Sequence, residues 1–145
     1  MELTTLTNTI STYFQQVAVV NDVFVDDVYD RFNSRDINYT AVCLCPESAS
    51  VTDGDNGTKT ASVSYIIHVA DRQFTDNSNV VQIWDVCQSI CEVVINKLNN
   101  NGYAVNSRNY QYFSQSFSDN LAGVTLNVSI DVLMDVGTCE ADPTL

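Results

Sequence analysis

The sequence predicts an α+β two-layer sandwich, a mostly antiparallel sheet of two hairpins packed by an N-terminal helix and a long central helix. Two patterns predict it. Apolar residues recur at helical spacing near the N-terminus and again from Val80 to Leu98, while the segments between and after them alternate apolar and polar residues. A helix with one apolar stripe and a sheet with one apolar face must each be buried, and packing one on the other satisfies both.

Leu3, Leu6, Ile10, Tyr13 or Phe14, and Val17 define the first helix, whose other face is polar and almost uncharged. Between Asn21 and Phe32, Asp22 is placed to cap a short helix carrying Val25, Val28, Tyr29 and Phe32 on one side. The β-branched valines oppose that helix, so an irregular segment is the alternative. Tyr39 to Cys45 reads as a strand that Pro46 ends or turns into an edge. An extended acidic hairpin loop at about 46–60 follows, with Asn56-Gly57 suited to its turn. The return strand, about Thr60 to Ala70, sets Ala61, Val63, Tyr65, Ile67 and Val69 against Ser62, Ser64, Ile66 and His68.

The long helix has Asp76, Asn77, Ser78 or Asn79 as its cap and Val80, Ile83, Trp84, Cys87, Ile90, Cys91, Val94 and Leu98 as its stripe. It is expected to stop at Asn99-Asn100-Asn101-Gly102. A strand around Asn109 to Phe117, a turn at Ser118-Asp119-Asn120 and a last strand with Val124, Leu126, Val128, Ile130 and Val132 on one face complete the second hairpin. With no repeat, Pro-rich linker or charge block, residues 1–145 read as a single domain.

The formal charge of −12 repels phosphate backbones, which argues against specific DNA binding, and the 45% hydrophobic content argues for a packed core over disorder. The N-terminus lacks a signal pattern and no segment approaches the roughly 18 apolar residues of a membrane span. A soluble protein made in the cytoplasm, with five reduced cysteines, is therefore expected.

Chemistry is hard to find. The one histidine, His68, lies mid-strand near Ser62, Ser64 and Asp71 without a spacing that enforces a triad. Cys43 and Cys45 on a strand with Cys87 and Cys91 on a helix offer four soft ligands but lack knuckle spacing, so buried thiols are the favoured reading. Asp53-Gly54-Asp55-Asn56-Gly57 fails the calcium-loop template at its fifth, sixth and twelfth positions. No enzyme activity, cofactor or metal is expected.

Three passages, Asp71-Arg72-Gln73-Phe74-Thr75-Asp76-Asn77, the helix Val80 to Leu98, and Phe117 to Val124 running into the last strand, sit in a chain ordered helix, hairpin, long helix, hairpin and closed by Cys139. In this layout the chain resembles the tail-terminator or tail-completion proteins of tailed bacteriophages, an order shared with other head-to-tail connection proteins. The resemblance implies a homo-oligomeric ring in the virion, hexameric first and dodecameric as the alternative, that meets neck, connector and tail proteins. Genomic DNA would pass as a non-specifically contacted duplex, and an acidic bore suits sliding DNA. No membrane partner is implied. An acidic subunit must bring its few cations to a neighbour's carboxylates, which nominates Arg31, Arg35, Arg72 and Arg108, with Asp53 and Asp55 as loop carboxylates. Arg72 is favoured because it precedes the long helix at an expected edge. The competing expectation is a small intracellular binding or chaperone module.

Overall fold

The computed structural model describes residues 3–26, 32, 37–54, 57–117 and 120–134. Helix α1 (Leu3–Gln15) turns Leu6, Ile10 and Phe14 into the core, and the Thr7 hydroxyl lies 2.8 Å from the Tyr65 hydroxyl, satisfying both polar tips.

The short helix expected after Asn21 is replaced at its start by strand β1 (Asp22–Val25), which pairs parallel with β2 (Ala41–Asp53) from Asp22↔Ala41 to Val25↔Leu44. Val23, Phe24 and Val25 suit a pleated strand better than a helical turn. Asp22 accepts a 2.6 Å bond from the Asn38 N–H instead of capping a helix. The remainder of the expected helix, apart from Phe32, lies outside the described residues.

A second correction concerns the acidic loop. Strand β2 continues through Pro46 to Asp53, with a register shift between Pro46 and Ser48, and β3 (Lys59–Arg72) returns from Asp53↔Lys59. Only 54–58 connects the strands, where the Gly54 N–H donates to the Thr58 carbonyl at 2.7 Å. Among the described residues β1 pairs with β2 only over Ala41–Leu44, short of Pro46, which lacks the N–H a further ladder bond would need.

Helix α2 (Val80–Asn100) buries the expected stripe, with Trp84 half-buried at its margin and Ile95 added. Asn79 occupies its N-cap position, its carbonyl accepting the Ile83 N–H at 2.9 Å, but its side-chain oxygen does not cap the helix and instead accepts the Phe74 N–H at 2.7 Å. The C-terminus stops as expected: Gly102 has φ +87°, Tyr103 N–H reaches Leu98 O at 3.1 Å and Gly102 N–H reaches Asn99 O at 3.4 Å. This is the paired bonding of a glycine-terminated helix.

Strand β4 begins at Ala104, earlier than expected, and runs to Ser116; β5 spans Leu121–Met134. The sheet order is β1-β2-β3-β5-β4, antiparallel except for β1 on β2. The two hairpins thus join through β3 and β5, which become the centre. Both helices cover one face, over a core that includes Val63, Tyr65, Ile67, Val124, Leu126 and Ile130. This is the expected α+β sandwich.

Candidate subunit interface

The face turned away from the helices is not uniform. At one end Phe32, Ile37, Ala41, Cys43, Ala70 and Leu121 form a second apolar cluster, rimmed by Phe24, Tyr39, Phe113 and Phe117. Phe32 is fully buried and meets Phe117 edge-on at 5.5 Å. Toward the arm, the same face is a half-buried polar ladder: Ser62 pairs with Asp131, Ser64 with Ser129, and Ile66 with Asn127. The Ser64 and Ser129 hydroxyls are 3.0 Å apart. The expected surface of Ser62, Ser64, Ile66 and His68 is therefore a polar stretch that closes into the cluster at His68, whose ring lies 6.3 Å from that of Phe113.

Beside the polar ladder the outer half of β2 runs as an arm, whose Ser48 and Ser50 pair with Ser64 and Ser62. Every residue from Glu47 to Asp53 is exposed, including Val51 at 54%. At its tip Lys59 lies 3.8 Å from Asp53, an exposed pair of little energetic weight.

The nominated residues separate. Arg31, Arg35 and Asp55 lie outside the described residues. Arg72 is exposed, but it ends the central strand β3 and not a sheet edge as expected; its guanidinium lies 5.2 Å from the Tyr39 ring centroid. Arg108 is already used within the chain, 3.1 Å from Glu92, whose other oxygen accepts the Tyr110 hydroxyl at 2.6 Å. Burial, then the bond to anionic Glu92, raises the Tyr110 pKa above its ordinary value. Asp53 stays at the arm tip, apart from Arg72, which sits at the opposite end of β3.

A polar clasp, not foreseen from the sequence, links two of the three distinctive passages. Gln73, 7% exposed, donates to Asn77 Oδ1 at 2.5 Å and accepts the Gln115 N–H at 2.6 Å. The Gln73 N–H also reaches Asn120 O at 3.3 Å. Asn77, Gln115, Phe117 and Asn120 all have positive φ, between 52° and 64°. A Gln flanked by an Asn four residues on is the one available signal, and it says nothing about the distant partner.

The weighed chemistries come apart on the two faces. Asp71 accepts the Thr40 hydroxyl at 3.2 Å beside α2, in a cleft of about 210 Å³ that also touches Phe74, Ile83, Val86 and Cys87. His68 alternates onto the reverse face, so the sheet separates it from Asp71. Cys43 belongs to the reverse cluster and Cys87 and Cys91 to the helix-side core, so a four-cysteine site is not assembled. Burial, helped by the nearby Asp71 charge, pushes the Cys87 thiol up to about 12, and burial raises Cys91 in the same direction. Such thiols act as small hydrophobes. No helix among the described residues is long and apolar enough to cross a membrane. A scan against protein-family models and a search of curated proteins returned no match.

Proposed function

We propose that this chain is a structural subunit of a homo-oligomeric ring at the head-tail junction or tail end of a tailed bacteriophage, joining connector and tail and letting DNA pass. The observation that carries the reading is the exposed outer stretch of β2, Glu47–Asp53. It is exposed along a stretch where its partner β3 is buried or half-buried, and the chain keeps the helix, hairpin, long helix, hairpin order of terminator proteins with β1 added after the first helix. Exposed segments without a core role are where contact surfaces concentrate. The polar ladder beside the arm supports the same use, since it suits a wet interface. Sixfold symmetry is the first expectation and twelvefold the alternative.

Imaging of intact virions is the direct test: a closed ring of this chain at the neck or tail end is expected, and its absence, or separate single copies, overturns the reading. The mass of the purified particle supplements it, because a ring gives a defined multiple of 16.0 kDa. The second reading, a small binding or chaperone module, draws on the cleft lined by Thr40, Asp71, Phe74 and Val86. It predicts one or two copies in solution and none in a virion.

A further inference from the structure

We infer that copies of this chain join by strand addition, the open edge of the β2 arm in one copy pairing antiparallel with the β4 edge of the next. This rests on the ring reading and names its contact.

Among the described residues the sheet has two edges without a neighbouring strand, on opposite sides. Strand β4 is terminal in the strand order, and from Pro46 to Asp53 no strand among the described residues lies on the side of β2 away from β3. The alternation of a β-ladder tells which backbone groups these edges offer. Leu44 gives its carbonyl to the Asp26 N–H on the β1 side, so Cys43 and Cys45 face β3, opposite His68 and Ile66. After the shift at Pro46 and Ser48, Ser48 and Ser50 face Ser64 and Ser62, which leaves the N–H and C=O of Ala49 and Val51 pointing outward. Carrying the alternation through β3 and β5 leaves those of Tyr110 and Tyr112 outward on β4.

Three properties match the edges to each other. Their charges do not clash: β4 holds no carboxylate and its Arg108 is paired with Glu92, whereas the open part of β2 holds Glu47 and Asp53, the latter 3.8 Å from Lys59. Joining two arms would bring their carboxylates together. Their directions also fit. Since β2 opposes β3, β3 opposes β5 and β5 opposes β4, β4 runs opposite to β2. Rotation about an axis along the strands preserves that relation, so one patch meets a different patch, as a closed ring requires. Finally, β4 lacks the Pro and Lys that commonly block edge pairing. Among the described residues, side chains bond the β4 backbone toward its ends: Asn99 on the Val105 N–H at 3.4 Å, Trp84 on the Phe113 carbonyl at 2.8 Å, Gln73 on the Gln115 N–H at 2.6 Å and Ser116 on the Ser114 carbonyl at 3.1 Å.

The test compares the full chain with Val51→Pro and Val51→Thr by native mass spectrometry over a concentration series and by hydrogen exchange. Proline removes an outward N–H while leaving the bonds to β3, and threonine keeps it. Wild type and Val51→Thr should form defined multimers with slowed exchange at 49–53 and 108–112. Val51→Pro should associate about tenfold more weakly or worse, with unchanged circular dichroism. Equal association of Val51→Pro and Val51→Thr overturns the inference. So does a dimer protected only at 108–112, protection of 108–112 already present in dilute monomer, or a wild type that stays monomeric throughout. The ring reading fails separately: edges that pair in solution while virions lack the ring would sink that reading and spare the contact.

Discussion

The two ends of the reverse sheet face are built on the same strands with the same alternation, yet one end is a dry cluster and the other a polar ladder. On β3, His68 and Ala70 lie toward Phe113 and Leu121, while Ser62 and Ser64 lie toward Asp131 and Ser129. Backbone geometry cannot distinguish them. What differs is side-chain chemistry and cover: small apolar residues cluster with Phe32 and Ile37, and hydroxyls stand where the described residues leave the face uncovered. Covering one end contributes to stability, and an uncovered polar end tolerates either water or a wet protein contact.

Breaking the covered end should have the largest effect. Phe32→Ala removes a fully buried ring held edge-on by Phe117 and Tyr39, and should cost about 3–5 kcal/mol in urea unfolding. A loss below about 1 kcal/mol would mean that this end is not a core in the energetic sense.

Gly123→Ala attacks the same end through the backbone. An added Cβ would stand 2.0 Å from the Val69 carbonyl oxygen and 2.8 Å from Ala70 Cα, on a central strand with little room to move. A loss of about 1–3 kcal/mol or more is expected from calorimetry, where a surface-strand glycine would gain from alanine.

The helix-covered face supplies a control. Cys87→Ala and Cys91→Ala should each cost about 1 kcal/mol without abolishing assembly, as small buried hydrophobes do. Stoichiometric zinc in the purified protein that disappears on either substitution would contradict this. The Cys87 thiol also sets a pH dependence. Its folded pKa, about 12, exceeds the ordinary thiol value of 9.0, so above pH 9 the unfolded chain holds fewer protons. The stabilisation is complete below pH 9 and lost as pH rises toward 12, and Cys87→Ala should flatten that alkaline decline.

At the polar end the effects on the monomer shrink. Ser64→Ala removes one partner of a cross-strand hydroxyl pair and should cost about 0.2–1 kcal/mol. Replacing Ser48 to Thr58 by an Asn-Gly turn should change monomer stability least of all, because 48–54 and the described turn residues are exposed. The shortened chain should stay folded by circular dichroism and lose assembly by light scattering; unfolding would assign the arm to the core.

Much of this was legible in the sequence because its signals are local. The stripe from Val80 to Leu98 gave α2, Gly102 gave its stop, and strict alternation gave the buried faces of β3 and β5. Such patterns depend on 3.6-residue and two-residue periods that a few neighbours define. The errors lay where a partner decides the outcome. Asp22–Val25 is a strand because β2 offers a ladder to join, and Glu47–Asp53 is a strand because β3 runs beside it, despite loop-like composition. Arg72 became central and Arg108 engaged once β3 met β5 and β4 met α2, and Gln73 found Gln115 across the fold. Periodicity fixes which face a residue takes, but pairing energy belongs to two segments at once, so strand order, edges and cation partners were decided only in the tertiary structure.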